Sequence, residues 1–183
     1  MDRAQRLRLL RAGDPRSGEV WADLGCGEGA FTLLLAEELG SGGRVLAIDR
    51  DAGSIDKLRL ELSRNRRGSM ASVDLRVEEL AGLQNVPPLD GALIANALHY
   101  LPEPASVLRT VRKALRPGGR ILVIEYDRSD SNRWVPHPVP VKALPELARD
   151  AGIEPFEVSA QVPSDFGRMI YAAVSRAEDQ SRF

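Results

Sequence analysis

The chain is organised around the run Val20-Trp21-Ala22-Asp23-Leu24-Gly25-Cys26-Gly27-Glu28-Gly29. Its apolar first half is typical of a buried strand, and three alternating glycines follow. Glycine has no Cβ atom, so the backbone can turn sharply there and a ligand can approach it closely. The next run, Ala30-Phe31-Thr32-Leu33-Leu34-Leu35-Ala36, predicts a helix whose first amides favour a carboxylate or a phosphate. Together the two runs predict a strand, a ligand-binding turn and a helix.

Two ligand classes fit this turn, and a third interpretation has no ligand. Gly25 to Ala30 can be read as G-x-G-x-x-A, the dinucleotide fingerprint. Asp23 argues against it, because a carboxylate at the strand end would repel a pyrophosphate and suits a ligand with an ammonium group. A tight turn that binds nothing would not require three glycines and a preceding acid.

Asp23 to Gly29 also match the pattern D-x-G-x-G-x-G at every fixed position. This is the first motif of the class I S-adenosylmethionine-dependent methyltransferases, and the chain resembles that family over most of its length. Asp49, Asn96, the run Lys113–Arg120 and the C-terminal strands continue the resemblance. It implies an α/β, Rossmann-like fold: a seven-stranded, mostly parallel sheet in the order 3-2-1-4-5-7-6, with helices on both faces and a C-terminal antiparallel hairpin.

Composition restricts the function classes. The chain has 183 residues, 43% of them hydrophobic, which predicts one domain over residues 1–183 with a real core. A net charge of -1 gives no overall electrostatic reason to bind nucleic acid or a membrane. The single cysteine, Cys26, excludes an intrachain disulfide and a cysteine-based zinc site, and it indicates a reducing cytoplasm. No apolar run approaches the roughly 20 residues of a membrane span.

Periodicity and breakers predict the order of elements. Residues 1–18 form an N-terminal helix and a linker. We expect helices at 3–11, 29–39, 54–64, 104–115 and 141–151. We expect strands at 19–23, 44–48, 73–77, 90–95, 121–125, 156–161 and 168–176. The connection between the last two strands is too short for a crossover helix, so these strands must be antiparallel.

The resemblance assigns the cofactor contacts. Asp23, Gly25, Cys26 and Gly27 belong to the first motif. Asp49 ends the second strand about 20 residues after the glycines, where an acid receives ribose hydroxyls in nucleotide-binding folds. The alternative for Asp49 is a cap on the next helix, which neighbouring residues could supply instead.

Further contacts are expected after the second, third and fourth strands. The aliphatic stem of Arg50 could lie against the adenine. In the family an acid after the third strand meets the adenine amino group; Glu79 is favoured over Glu78, and the Leu80 amide could bond the ring. A solvated acidic turn is the alternative there. Asn96 would offer its carbonyl or side chain to the methionine ammonium.

Catalytic candidates follow the fourth and fifth strands. His99 could be a general base, or it could pin its loop through a hydrogen bond. Tyr126 falls at the active-site edge of the sheet. Residues 128–140 are polar and proline-rich and predict a loop over the substrate mouth, where Trp134 either covers substrate or packs. His137 is a further candidate for a base or metal ligand, but no metal site is expected because methyl transfer from a sulfonium needs none.

The predicted function is methyl transfer from S-adenosylmethionine to an unidentified small-molecule acceptor. The N-P-P-[YF] form that serves amino-group methylation of bases and some glutamines is absent after the fourth strand. The basic loop Arg64–Gly68 has no aromatic residue to stack a base. Two alternatives remain: a cofactor-binding protein without catalysis, and a nicotinamide-dependent oxidoreductase, against which Asp23 and the terminal hairpin argue. A monomer and a homodimer are both open.

Overall fold

Seven strands form one sheet in the computed structural model, which describes residues 1–65, 68–164 and 168–177. The strands are β1 (Val20–Leu24), β2 (Arg44–Asp49), β3 (Ser72–Val77), β4 (Leu89–Ala95), β5 (Leu115–Tyr126), β6 (Glu157–Pro163) and β7 (Met169–Arg176). Their order is β3-β2-β1-β4-β5-β7-β6. The predicted order is therefore confirmed.

Five helices accompany the sheet in the described residues: α1 (Arg3–Arg11), α2 (Thr32–Leu39), α3 (Ala52–Arg64), α4 (Pro104–Ala114) and α5 (Leu144–Ala151). Short 3₁₀ turns at Leu80–Gly82, Leu98–Tyr100 and Val141–Ala143 follow β3, follow β4 and precede α5. Within the described ranges, none of the helices has the length and apolar character needed to cross a bilayer.

Strand direction places the loops that matter for function. The first five strands pair in parallel, so their carboxyl ends lie at one edge of the sheet. The last strand, β7, pairs antiparallel with both β5 and β6, which gives the predicted terminal hairpin. In open parallel sheets, ligands bind outside the carboxyl ends of the strands. That edge is called the carboxyl edge below.

Two apolar layers cover the sheet, because parallel strands bury side chains on both faces. On one face, β-strand residues such as Leu46 and Ile94 pack with Val107 and Leu108 of α4 and with Leu144 of α5. On the other face, Trp21, Leu93 and Leu122 pack with residues of α1, α2 and α3, including Leu9, Leu10, Leu35 and Leu58. Both predicted helical layers are therefore present.

Several element boundaries differ from the sequence prediction by a few residues, and two of these differences have a reason that the structure shows. The second helix begins at Thr32 rather than near Gly29, because Gly27 and Gly29 have positive φ angles of 54° and 88°. The fifth strand begins at Leu115 rather than 121. Leu115 pairs with Leu89, and the ladder resumes at Arg120 opposite Gly91, so the intervening turn is an irregularity inside the strand.

Three predicted segments fall partly outside the described residues. Residues 66 and 67 of the basic loop, residues 165–167 of the hairpin connection and residues 178–183 of the C-terminal tail are not described. The hairpin itself is defined by the pairs on either side of its connection, from Pro163 opposite Met169 to Glu157 opposite Val174.

Candidate functional site

The glycine turn after β1 is held by bonds to the end of β2. The amides of Gly25 and Cys26 both donate to the Ile48 carbonyl, at 2.8 and 3.0 Å. The Gly27 amide donates to Oδ2 of Asp49 at 2.8 Å, and that of Gly29 donates to the Cys26 carbonyl at 3.0 Å. Four amides of the turn are therefore engaged within the protein.

The three glycines have different reasons to lack a side chain. A Cβ atom on Gly25 would lie 2.5 Å from Cβ of Ala97, and one on Gly29 would lie 2.2 Å from Cδ1 of Leu58. A Cβ on Gly27 would meet nothing within 4 Å. The outer glycines therefore allow close packing of the turn, whereas the middle one leaves open space at the carboxyl edge for a ligand.

Asp23 is a buried carboxylate beneath this turn. The residue is 1% exposed, and its Oδ2 accepts a hydrogen bond of 2.7 Å from the Thr32 hydroxyl. Burial raises the pKa of Asp23 to about 7; the Thr32 bond opposes this rise, and the nearby charge of Asp49 adds to it. A cationic group beside Asp23 would favour its charged form. Thr32 is a contributor that the sequence pattern did not single out.

Cys26 does not have the surroundings of a reactive thiol. Burial, followed by the negative charges of Asp23 and Asp49, raises the pKa of the Cys26 thiol well above its ordinary value. A thiol in such surroundings stays protonated and is a poor nucleophile. Cys26 is 8% exposed and therefore contributes packing to the turn.

Asp49 joins the glycine turn to the start of α3. Its Oδ2 accepts from Gly27 and its Oδ1 accepts from the amide of Asp51, at 2.9 Å. The cap on α3 is Asp51, which accepts bonds from the Gly53 amide and the Ser54 hydroxyl. The capping alternative for Asp49 is thus filled by another residue, and each Asp49 oxygen can accept a further bond.

Two glutamates after β3 have different surroundings. The Glu78 carboxylate accepts a bond from the Gln84 amide at 3.2 Å, and its own amide donates to the Asp49 carbonyl at 3.0 Å. Glu79 is exposed, and Leu80 beside it is buried. Of these two carboxylates, only that of Glu79 has no hydrogen bond or ion pair to another described residue. Arg50 is likewise exposed at the end of β2.

Asn96 has two unusual features at the end of β4. Its φ angle is +52°, a left-handed conformation that non-glycine residues rarely adopt, and its amide donates to the Ile124 carbonyl at 2.8 Å. Its side-chain Oδ1 is enclosed, yet it has no hydrogen-bond partner in the described residues. Strained backbone and unpaired buried acceptors concentrate at ligand sites.

His99 lies three residues after Asn96 and is buried against the carboxylate of Glu125. Glu125 was not assigned to the site from the sequence. Nδ1 of His99 lies 2.8 Å from Oε2 of Glu125, and the His99 amide donates to Oε1 at 3.3 Å. The exposed fractions are 2% for His99 and 1% for Glu125. An acid at the end of the apolar run Ile121-Leu122-Val123-Ile124 was the available signal, because a strand buried on both faces rarely contains one.

Aromatic rings surround the His99 imidazole. The ring centroid of Tyr100 is 4.3 Å away and that of Tyr126 is 6.4 Å away. Tyr100 is 49% exposed, whereas Tyr126 is partly buried at the end of β5. The two predicted catalytic residues, His99 and Tyr126, are therefore neighbours at the carboxyl edge.

Residues 128–140 form a loop anchored beside this cluster. Asn132 and Val135 make a tight turn, with Asn132 Oδ1 accepting from the Trp134 and Val135 amides. The His137 amide donates to the His99 carbonyl at 2.9 Å, and the Tyr171 hydroxyl donates to the Val139 carbonyl at 2.7 Å. Trp134 is 64% exposed at the tip of the turn, with the Arg133 guanidinium over its ring.

Two concave regions lie away from these residues. One, of about 330 Å³, lies where α4 and α5 end; the other, of about 870 Å³, lies between α3 and β3. None of the predicted site residues lines either region. We place the candidate site at the carboxyl edge because two features lie there: the Oδ1 of Asn96, which has no partner in the described residues, and the open side of Gly27.

S-adenosylmethionine fits these residues better than a dinucleotide does. The unpaired Oδ1 of Asn96 and the buried carboxylate of Asp23 are acceptors, and an ammonium supplies the donors and the charge that they require. A pyrophosphate carries negative charge and no ammonium group, so it supplies neither the donors nor the positive charge.

The chain is similar in sequence to several curated proteins. It is 30% identical to an uncharacterised 37.1 kDa protein of a Streptomyces fradiae transposon, in a match that covers 88% of this chain and 50% of that protein. It is 32% identical to a probable cobalt-precorrin-6B C(15)-methyltransferase of Methanothermobacter thermautotrophicus, with 64% and 58% covered. The chain thus spans about half the length of the curated relatives it matches.

Solved structures share the architecture. The 1,6-didemethyltoxoflavin-N1-methyltransferase of Burkholderia thailandensis, crystallised with 1,6-didemethyltoxoflavin and S-adenosylhomocysteine, superposes with a TM-score of 0.76 at 23% identity. The alignment covers 97% of this chain and 78% of that one. At this identity the likeness establishes the fold.

A family model described as a methyltransferase domain matches residues 22–121, which is more than half of the chain. That match contains the glycine turn, the end of β2, the residues after β3 and the His99 segment. Together with the strand order and the terminal hairpin, it identifies the chain as a member of the class I S-adenosylmethionine-dependent methyltransferase family.

Proposed function

We propose that this chain transfers a methyl group from S-adenosylmethionine to a small-molecule acceptor. The observation that carries the proposal is the enclosed Oδ1 of Asn96, which has no hydrogen-bond partner among the described residues; Asn96 has a positive φ and lies one residue beyond β4. A buried acceptor without a donor is costly, and an ammonium group would satisfy it. Asp23 supports the same ligand, because a nearby cation would offset the cost of ionising its buried carboxylate.

The remaining cofactor residues have roles in the proposal that follow from their surroundings. The open face of Gly27 would allow the ligand to approach the backbone. Asp49 would accept the ribose hydroxyls through its remaining lone pairs. Glu79 and the Leu80 amide would receive the adenine, with the stem of Arg50 against its ring. These assignments come from the family resemblance; the exposure of Arg50 and Glu79 and the remaining lone pairs of Asp49 support them.

S-adenosylmethionine, when bound, supplies a methyl group on a sulfonium that leaves as a neutral thioether, S-adenosylhomocysteine. The protein must then hold the acceptor in line, keep out water and take the acceptor's proton. His99 is the proposed proton acceptor, and Tyr126 would orient the acceptor through its hydroxyl. The loop 128–140, with Trp134 at its tip, would cover the acceptor.

The acceptor class is a small molecule in this proposal. The names of the relative and of the structural neighbour given above refer to cobalt-precorrin-6B and to 1,6-didemethyltoxoflavin. A net charge of -1 offers no general attraction to nucleic acid. A cytoplasmic location belongs to the same proposal, since the single cysteine is a buried thiol.

Titration calorimetry with S-adenosylhomocysteine, S-adenosylmethionine and NAD tests the cofactor. We expect binding of the first two and none of NAD. Binding of NAD alone would overturn the proposal in favour of an oxidoreductase. Binding of S-adenosylhomocysteine with no turnover of a broad panel of phenol, quinol, amine and thiol acceptors would favour the non-catalytic alternative.

The Asp49→Ala variant tests the placement of the ribose. Hydrogen bonds to a charged group contribute about 1.5–3 kcal/mol each, so affinity for S-adenosylhomocysteine should fall at least about tenfold. The matched control is Asp56→Ala on α3, whose side chain is 69% exposed. An unchanged dissociation constant in a folded Asp49→Ala protein would remove Asp49 from the site.

A further inference from the structure

The buried pair of His99 and Glu125 joins two strand ends that are separated by 26 positions in sequence. Glu125 receives two bonds from one residue: Oε1 from the His99 backbone amide, and Oε2 at 2.8 Å from the imidazole Nδ1. Neither side chain exposes more than 3% of its surface. Glu125 thus holds both the backbone and the ring of His99.

The chemistry of the carboxylate determines which ring nitrogen carries the proton. An ionised carboxylate only accepts hydrogen bonds, so the imidazole must present Nδ1 as its donor. In the neutral ring the lone pair then lies on Nε2. No described residue bonds to Nε2, and Nε2 is not among the fully enclosed unpaired atoms, which are Asn96 Oδ1 and Arg128 Nε in the described ranges.

Backbone contacts tie His99 to the acceptor side. Its carbonyl accepts a bond from the His137 amide in loop 128–140. The rings of Tyr100 and Tyr126 adjoin the imidazole. Tyr171 lies close enough to Glu125 for the charge of that carboxylate, after burial and together with Asp127, to raise the pKa of Tyr171. His99 therefore has fixed positions relative to both β5 and the loop.

We propose that Glu125 is a positioning residue that holds His99 as the Nδ1–H tautomer, with Nε2 directed to the acceptor. The catalytic meaning of this arrangement rests on the proposed methyl transfer. Nε2 would take the acceptor's proton while the acceptor's lone pair forms the new bond to the methyl carbon and the C–S electron pair returns to sulfur. Glu125 would stabilise the resulting imidazolium.

The Glu125→Gln variant makes a specific change in this arrangement. The amide oxygen can accept from the His99 backbone, which leaves the NH₂ group facing Nδ1. Nδ1 must then accept, and the ring proton moves to Nε2. The substitution nearly preserves shape and both contacts but removes the basic nitrogen from the acceptor side. Glu125→Asp keeps a carboxylate and should keep the Nδ1–H tautomer.

Imidazole ¹⁵N NMR measures the tautomer without any acceptor. The chain has two histidines. In the His137→Gln variant His99 is therefore the only source of imidazole signals, and the backbone bond between residues 137 and 99 can still form. At about pH 8.5, above the ordinary histidine range, we expect protonated Nδ1 in the parent and in Glu125→Asp, and protonated Nε2 in Glu125→Gln. Parent protein with its proton on Nε2, or a Gln variant with an unchanged tautomer, would overturn the proposal.

Activity provides the second measurement once an acceptor is found. We expect Glu125→Gln to lower kcat by roughly 10² to 10⁴, with Glu125→Asp recovering part of that loss and S-adenosylhomocysteine affinity unchanged in both. Equal loss in the Gln and Asp variants would show a merely structural pair. If the Gln variant does not fold, the tautomer in the parent and in the Asp variant still decides the proposal. Failure of cofactor binding in the parent would instead refute the proposed function, whatever the tautomer.

Discussion

Replacing Asp23 by asparagine should stabilise the folded chain progressively, relative to the parent, as pH rises. Asp23 is 1% exposed, and burial raises its pKa from an ordinary 3.8 to about 7. Between these two values the unfolded chain has an ionised Asp23 while the folded chain keeps it protonated. Unfolding therefore releases a proton in this range, and the parent loses stability as pH increases.

The magnitude follows from the interval between the two pKa values. Each pH unit corresponds to about 1.4 kcal/mol, so an interval of roughly three units amounts to up to about 4 kcal/mol. The loss begins near pH 4, grows through pH 7 and is constant above it. The asparagine oxygen can still accept the Thr32 hydroxyl, and any cost of its amide group is independent of pH.

Urea unfolding of parent and Asp23→Asn proteins at intervals from about pH 4 to pH 8.5 measures the effect. The difference between their free energies of unfolding cancels the contributions of other titrating groups, including described acids whose pKa is lowered, such as Asp14, Glu19, Asp51 and Asp130. Asp56→Asn, exposed on α3, is the matched control and should show no such trend. A difference that stays flat within about 0.5 kcal/mol would refute the argument.

Three further predictions concern the same edge. Binding of S-adenosylhomocysteine should weaken below about pH 7, by up to about tenfold per pH unit, because its ammonium favours ionised Asp23; calorimetry on Asp23→Asn should show no such dependence. Gly29→Ala should unfold at a lower urea concentration than Gly27→Ala, because its Cβ would lie 2.2 Å from Leu58 Cδ1. Gly27→Ala should mainly reduce cofactor affinity, since its Cβ would meet nothing within 4 Å. A Gly27→Ala protein less stable than Gly29→Ala would contradict the different roles of the two glycines. Trp134→Ala should raise the KM for the acceptor several-fold without changing cofactor affinity, because removing an aromatic contact commonly weakens binding by this amount. An unchanged KM would place Trp134 outside the site.

Local chemistry was sufficient to predict most of the elements. The run from Val20 to Gly29 contains its own strand, turn and helix signals, and the short connection after β6 allows only an antiparallel return. The strand order was predicted through the family resemblance and is confirmed. Errors were confined to ends, such as the start of α2 at Thr32, where positive φ angles at two glycines delay the helix.

The candidate site could be anticipated only in part. Residues that follow each parallel strand were predictable because strand direction brings them to one edge. The sequence did not indicate that amides of the glycine turn are bonded to Ile48, Asp49 and Cys26. Such bonds depend on the register between β1 and β2, which no local pattern contains.

The amino-acid sequence by itself determined the periodicity, the turn chemistry and the acidic glycine motif, because these depend on neighbours within a few positions. Only the tertiary structure decided which groups are paired and which are left without partners. Glu125 contacts His99 because β4 and β5 are adjacent parallel strands that pair as far as Ala95 and Ile124. Among the described residues, none donates a hydrogen bond to the enclosed Oδ1 of Asn96. Pairing and burial depend on distances between strands that the chain separates by tens of residues.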